Sequence, residues 1–210
     1  MQDGWHFFVQ NIRHRLQAPL PGYEAQKKMM RTDRPTGPDM PPSARQSAVL
    51  VLLYPEMGRP HIVLIQRAVG GGVHSGQIAL PGGKKEDTDE TLADTALREA
   101  HEEVALLAKD VSVMGLLSPL YIPVSNFVVN PVLAVCHQPP VLTPSDYEVA
   151  AIITPALNEL FARKEAVSVR ASEGVNIKTM AYAMRPEKTI VWGATAMILS
   201  ELEELLDGLY

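Results

Sequence analysis

The 210-residue sequence has a single cysteine, Cys136, no excess of positive charge and no long apolar run. One cysteine excludes a disulfide framework and is typical of a reducing compartment, so we expect a cytoplasmic protein with Cys136 in its core. The net charge of −5 argues against nucleic acid or an anionic membrane as a partner held by a basic surface. No stretch approaches the roughly 18 apolar residues of a membrane span, and the N-terminal stretch lacks the pattern of a secretory signal.

What is present is typical of a globular protein, with 46% hydrophobic and 20% charged residues. The length predicts one ordinary domain with an N-terminal extension. We expect residues 1–45 to form a helix and a Pro-rich basic arm, and residues 46–210 to form the main domain. The arm carries Lys27, Lys28, Arg31 and Arg34. These cations are either a solvated surface or a contribution to phosphate binding.

The segment 82–106 contains the strongest signal in the chain. Residues 91–105 predict a helix whose apolar stripe is formed by Leu92, Ala93, Ala96, Leu97, Ala100 and Val104. Glu99, Glu102 and Glu103 share an adjoining arc, where like charges repel and the helix macrodipole disfavours them. Folding does not explain three carboxylates at these positions, but a divalent cation does.

This stretch resembles the Nudix box, whose pattern is G-x5-E-x7-R-E-U-x-E-E-x-G-U with U apolar. Its strongest half reads REAHEEVAL, beginning at Arg98. Two features depart from the pattern. Ala105 stands where the pattern has its last glycine. The spacing upstream is longer by one residue: Asp89 has the expected distance from Gly83 but is one residue too far from Arg98, whereas Glu90 has the expected distance from Arg98 but is one residue too far from Gly83. The coenzyme A pyrophosphatase branch of the family is similar in both departures.

A second resemblance to that branch lies in residues 64–83, LIQRAVGGGVHSGQIALPGG. It implies that Arg67, His74, Gly76 and Gln77 bind substrate. The segment departs from the branch signature at Ala68, Gly72 and Leu80. Position 72 matters most, because a guanidinium there would suit the 3′-phosphate of coenzyme A. The exact substrate therefore stays open at this point.

The order of predicted elements suits an α/β protein, and the resemblance implies the Nudix fold, an α/β/α sandwich with a mixed central sheet and a loop–helix–loop motif. We predict strands at residues 48–54, 61–67, 78–80, 111–117, 127–135, 149–153, 180–183 and 189–191. A closing amphipathic helix is predicted at 192–206 with its acidic residues outside. Residues 167–179 are too polar to assign.

The resemblance implies a hydrolase that uses Mg²⁺ or Mn²⁺ to cleave a diphosphate. Glu99, Glu102 and Glu103 would face the metal, with the Gly83 carbonyl as a further ligand. Either Glu99 or Glu103 would be the general base, while Arg98 orients these carboxylates or pairs with Asp89 or Glu90. In this family an acidic residue such as Glu148 can also approach the metal.

Three functions remain open from sequence. The first is a coenzyme A diphosphatase giving 3′,5′-ADP and 4′-phosphopantetheine. The second is a Nudix hydrolase of another nucleoside diphosphate derivative, such as ADP-ribose, a dinucleotide or a nucleoside triphosphate, which Gly72 favours. The third is a non-catalytic Nudix-fold ligand sensor, which the intact carboxylates disfavour. Nudix proteins are often dimers, and the N-terminal helix offers a contact for a homodimer.

Overall fold

The computed structural model of the chain describes residues 2–31, 39–68, 76–170, 176–184 and 189–210. The helices are α1 (Gln2–Arg15), α2 (Gly22–Gln26), α3 (Leu92–Val104), α4 (Leu157–Phe161) and α5 (Gly193–Leu205). The strands are β1 (Arg45–Glu56), β2 (Arg59–Ile62), β3 (Leu64–Arg67), β4 (Ile78–Ala79), β5 (Gly82–Lys84), β6 (Ser112–Leu116), β7 (Leu120–Ile122), β8 (Phe127–Val135), β9 (Val149–Ile153), β10 (Lys164–Arg170), β11 (Asn176–Met184) and β12 (Thr189–Val191). None of these described helices is long and apolar enough to cross a membrane.

The central sheet is mixed and, in the described part of the chain, contains β2, β1, β8 and β6 in that order, with β5 added to β1 and β7 to β8. β1 and β8 pair in parallel, whereas the other pairs in this sheet are antiparallel. Two smaller sheets have the orders β4–β3–β9 and β10–β11–β12.

Alternation along β1 separates two apolar layers, because successive side chains of a strand point to opposite faces. Ala48, Leu50 and Leu52 pack with the buried face of α3. Val51 and Leu53 belong to the other cluster, which includes residues of α1, α4 and α5. The predicted α/β/α arrangement around a mixed sheet is confirmed.

The predicted strand at 61–67 is divided between two sheets, because the chain leaves β1 after four residue pairs. β2 pairs with the end of β1, from Leu53↔Ile62 to Glu56↔Arg59. The neighbouring position along the first half of β1 is taken by β5. β3 therefore moves into the small sheet with β4 and β9. Because β5 and not β3 pairs with this part of β1, Gly82 and Gly83 lie opposite Val49 and Ala48.

The unassigned polar segment contributes to two strands, because β10 and β11 pair antiparallel from Lys164↔Tyr182 to Arg170↔Asn176. Along β11, Ile177, Thr179 and Ala181 are buried while Asn176 and Lys178 are exposed. Exposed polar residues alternate with the buried ones along the strand. The composition of the segment as a whole is therefore polar and does not indicate a strand. Pairing of a half-exposed strand is a tertiary effect that local composition does not reveal.

The expectation that every acidic residue of the closing helix lies outside is also wrong. Glu201 is fully buried. Its carboxylate accepts hydrogen bonds from the Gln26 side chain at 2.9 Å and the Ser118 backbone N–H at 3.0 Å. These donors come from distant parts of the chain, so helix periodicity alone does not reveal them. A buried polar side chain is tolerated here because it is hydrogen-bonded.

The N-terminal arm is more regular than its composition predicts. The Pro-rich arm contains α2 and a 3₁₀ turn, Lys27–Met29, and its residues Ala25 and Met29 are buried. α2 packs against α5, on the side of the sheet opposite α3. The proposed division at residue 45 stays a prediction.

Candidate functional site

Helix α3 is defined at both ends by local interactions. Thr91 accepts a hydrogen bond from the Asp94 N–H at 3.1 Å, and Asp94 accepts one from the Thr91 N–H at 2.8 Å, which forms a capping box. The helix ends at Ala105, whose φ of 55° is left-handed. This is the position where the Nudix pattern has glycine, the residue best suited to that conformation.

The glycines of β5 allow the backbone to approach α3. A Cβ on Gly82 would lie 2.4 Å from the Ala48 carbonyl oxygen. A Cβ on Gly83 would lie 2.5 Å from the carboxylate of Glu99. Since real Cβ atoms do not come that close to other atoms, any side chain at Gly83 would displace Glu99. Glycine here is required for close approach.

Glu103 is the most buried carboxylate of the motif, with 1% of its surface exposed. It accepts hydrogen bonds from the Gly82 N–H at 2.9 Å and from Arg67 Nη1 at 3.3 Å. Burial raises the pKa of Glu103 to about 7, although these two partners lower it. The carboxylate thus lies where both protonation states are accessible near neutral pH.

Glu99 and Glu102 differ in exposure but share one partner, Arg98. The Glu102 side chain is 54% exposed and that of Glu99 is 16% exposed. Arg98 Nη1 donates to Glu99 at 2.9 Å and lies 3.3 Å from Glu102. Burial raises the pKa of Glu99, and the hydrogen bond from Arg98 opposes that rise. Arg98 therefore orients both carboxylates.

Arg98 is itself fixed by Asp89, with Nε to Oδ1 at 3.0 Å and Nη2 to Oδ2 at 3.1 Å. Asp89 also accepts from the Thr95 hydroxyl at 3.0 Å and the Glu86 N–H at 2.9 Å. The hydrogen bonds from Arg98 hold the pKa of Asp89 well below its usual range. Between the two acidic residues considered from spacing, Asp89 is the partner of Arg98, and its oxygens are already engaged.

Thr95 was not predicted as a site residue. It lies three residues before Arg98 on the same helix, and residues three apart share a helix face. That spacing is the signal that could have identified it. The Gly82 N–H was also missed as a donor to Glu103, because sequence shows where glycine permits close approach but not which backbone group it presents.

The predicted substrate-binding residues are partly brought together. Gly76 N–H donates to the Arg67 carbonyl at 3.1 Å, and Arg67 N–H donates to the Gln77 carbonyl at 3.0 Å. Arg67 is thus joined through its backbone to Gly76 and Gln77 and through its guanidinium to Glu103. His74 and Gly72 lie outside the described residues, as does Arg34 of the arm.

Glu148 approaches the same carboxylates from the residue before β9. Its carbonyl accepts from the Ala68 N–H at 2.8 Å, and the Ser145 N–H donates to the Glu103 carbonyl at 2.8 Å. The negative charge of Glu148 contributes to raising the pKa values of Glu99 and Glu103, after the larger effect of burial. Negative charge therefore accumulates around this end of α3.

Two other candidates lie apart from these carboxylates. His101 Nδ1 is 3.0 Å from the Leu106 carbonyl, at the end of the helix. In the basic arm, Lys27 pairs with Glu24, and Lys28 pairs with Glu204 at 2.8 Å. The two lysines therefore neutralise local carboxylates.

The carboxylate oxygens fit a hard divalent cation by their chemistry. Within the described ranges, no three Asp, Glu, His or Cys side chains are grouped so that they would hold a metal as they stand. Arg98 and Arg67 engage the carboxylates in this arrangement. Arg98 Nη1 engages Oε1 of Glu99, and the other oxygen of that carboxylate would be the one to face a metal.

Comparison with known proteins gives consistent matches. The family model for the NUDIX domain matches residues 44–166. The chain is 36% identical over 171 residues to NudL, described as an uncharacterized Nudix hydrolase, of Pectobacterium atrosepticum, covering 78% of this chain and 86% of the relative. It is 35% identical to NudL of Yersinia pestis, covering 76% and 79%.

Solved structures share the fold at low identity. A Nudix hydrolase from M. smegmatis, RenU, has a TM-score of 0.55 at 20% identity, covering 77% of this chain and 85% of that one. The NUDIX domain of Shewanella oneidensis NrtR, complexed with ADP ribose, has a TM-score of 0.52 at 14% identity, covering 81% and 94%. Similarity at this level shows a common architecture.

Proposed function

The chain belongs to the Nudix family of hydrolases, which cleave diphosphate linkages, and we propose that its substrate is coenzyme A, cleaved to 3′,5′-ADP and 4′-phosphopantetheine. The observation that supports hydrolysis at this site is the geometry of α3 against β5. Glu99 lies against Gly83, and Glu103 accepts the Gly82 N–H. The resemblance of residues 64–83 to coenzyme A pyrophosphatases supports this substrate.

We assign Glu99, Glu102 and Glu103 as ligands for Mg²⁺ or Mn²⁺, with the Gly83 carbonyl completing the set. A divalent cation there supplies positive charge to the diphosphate and acidifies water. Glu99 and Glu103 are both candidates for the general base that accepts the proton of the attacking water. Arg98 orients Glu99 and Glu102 and does not contact substrate.

Arg67, His74, Gly76 and Gln77 are proposed to bind the substrate. Arg67 is 37% exposed and lies 3.3 Å from Glu103. Its guanidinium has further donors besides the one engaged by Glu103, and these suit a phosphate oxygen. A single buried cysteine, Cys136, supports a cytoplasmic location. A homodimer through α1 remains a prediction.

The test is hydrolysis by the purified protein with Mg²⁺ or Mn²⁺ of coenzyme A, dephospho-coenzyme A, ADP-ribose, dinucleotides and nucleoside triphosphates. We expect 3′,5′-ADP to be released from coenzyme A, and the release to be lost in Glu103→Gln. Glu159→Gln, an exposed acidic residue paired with Arg59, is the matched control and should retain activity. A preference for ADP-ribose, a dinucleotide or a nucleoside triphosphate would replace coenzyme A as the substrate, and metal binding without turnover would indicate a sensor.

A further inference from the structure

A basic groove lies beside the carboxylates, where β1 and β5 meet. It has a volume of about 380 Å³ and is lined by Arg45, Gln46, Lys84, Lys85, Glu86 and Asp87. Strand pairing builds it, since Ser47 lies opposite Lys84 and the Lys85 N–H donates to the Gln46 carbonyl at 3.0 Å. Residues separated by almost forty positions thus form one surface.

The cations of this groove differ in how firmly they are held. The Arg45 guanidinium lies 4.0 Å from the Phe127 ring centroid and donates to the Ser125 carbonyl at 2.8 Å. The Lys85 ammonium donates to the Asp89 carbonyl. Lys84 is exposed, and no ion pair joins it to another of the described residues. Lys84 can therefore turn to meet an anion.

Three cations and two carboxylates line the groove. Glu86 and Asp87 are both exposed, as are Arg45 and Lys84, so solvent screens the charges of both signs alike. The local balance is one net positive charge, and a mobile Lys84 ammonium next to the held Lys85 ammonium and Arg45 guanidinium is a set of donors suited to a phosphate group. A phosphomonoester carries close to two negative charges at neutral pH, so it gains more from this set than a monoanion does.

The groove is continuous with the carboxylates of α3. Lys84 directly follows Gly83 in β5, and Gly83 lies against Glu99. The Lys84 carbonyl accepts from Arg98 Nη2 at 3.0 Å, so the wall of the groove and the carboxylates are tied together. A ribose ring separates its 5′-diphosphate from a 3′-phosphate by only a few bonds.

We propose that the groove binds a phosphomonoester on the ribose of the substrate, with Lys84 and Arg45 as the residues that determine this specificity. This inference rests on the proposed function. It accounts for recognition of an extra phosphate in a chain that has Gly72 where the similar branch has arginine. The groove contributes to the choice among diphosphates and not to cleavage.

The test compares Lys84→Ala, Lys84→Arg and the remote control Lys109→Ala on coenzyme A and dephospho-coenzyme A. Lys84→Ala should lower kcat/KM for coenzyme A about tenfold or more, through KM, because a charge-assisted hydrogen bond to phosphate is lost. Activity on dephospho-coenzyme A should change less than about twofold, Lys84→Arg should restore the preference, and Lys109→Ala should match the wild type. Equal losses on both substrates, or none on either, would overturn the proposal.

Equilibrium binding separates this proposal from the proposed function. The full-length protein should bind 3′,5′-ADP more tightly than 5′-AMP, and Lys84→Ala should remove the difference. If the wild type hydrolyses neither coenzyme A nor its dephospho form but keeps this difference, the assigned substrate is wrong and the phosphomonoester groove stands. If 3′,5′-ADP and 5′-AMP bind equally to the wild type, the groove proposal is wrong even where coenzyme A is hydrolysed.

Discussion

Replacing Glu103 by glutamine should stabilise the metal-free protein while it abolishes catalysis. The carboxylate is almost completely buried, and burial raises its pKa from 4.5 to about 7. Between these pH values the native protein holds a proton that the unfolded chain has released. The contribution of Glu103 to the free energy of unfolding of the wild type is therefore most favourable below about pH 4.5. This contribution falls as pH rises through 7.

The magnitude follows from that shift. At pH values above both 4.5 and 7, a rise in the pKa of Glu103 from 4.5 to about 7 lowers the free energy of unfolding by about 3 kcal/mol. Glutamine removes this cost and can still accept the Gly82 N–H, but it loses attraction to Arg67. Because Arg67 is 37% exposed, that loss is small. The expected gain is about 1–3 kcal/mol at pH 8.5, or about 2–10 °C in Tm for a domain of this size.

The assay is thermal and urea unfolding in EDTA from pH 5 to pH 8.5, with hydrolysis measured in parallel. The stability advantage of Glu103→Gln should shrink towards pH 5, and kcat should fall by about 100-fold or more if Glu103 is the general base. Glu102→Gln, at an exposed position on the same helix, should change stability by less than about 0.5 kcal/mol. A Glu103→Gln protein that is less stable than wild type at pH 8.5 would refute the reasoning.

Three other substitutions test the surroundings. Gly83→Ala should lower kcat about tenfold or more because its Cβ would displace the Glu99 carboxylate, and an unchanged kcat would show that Glu99 is not held there. Ala105→Gly should raise the free energy of unfolding by about 1 kcal/mol, since it relieves a left-handed alanine, and urea titration would detect no gain if the strain is absent. Glu201→Ala should lower that free energy by about 3 kcal/mol because Gln26 and a backbone N–H lose a buried acceptor. Loss below about 1 kcal/mol in the same titration would mean that water replaces the carboxylate.

Sequence predicted the parts of this molecule that depend on local pattern. The helix carrying the carboxylates is expected at 91–105 and found at Leu92–Val104, because apolar spacing and a capping residue determine it. The strands predicted at 127–135, 149–153 and 189–191 have the same bounds in the structure. Each is a short run made mostly of apolar residues.

The parts that sequence did not predict depend on pairing between distant segments. β5 is a strand only because β1 accepts it, and its Gly82–Lys84 sequence has no strand propensity of its own. The basic groove follows from that same pairing, so Arg45 and Lys84 carry no joint signal in the sequence. The carboxylates were identified from one helix because their geometry is local.

Glu201 has a consequence for where the folding unit begins. The family match starts at residue 44, yet this buried carboxylate accepts hydrogen bonds from the Gln26 side chain and from the backbone N–H groups of Gly22 and Ser118. A chain shortened to the matched region would lack both α2 and α5, and shortening at the N-terminus alone would leave Glu201 without Gln26. We therefore expect the unit that unfolds cooperatively to extend beyond the family match and to include the segment before residue 44.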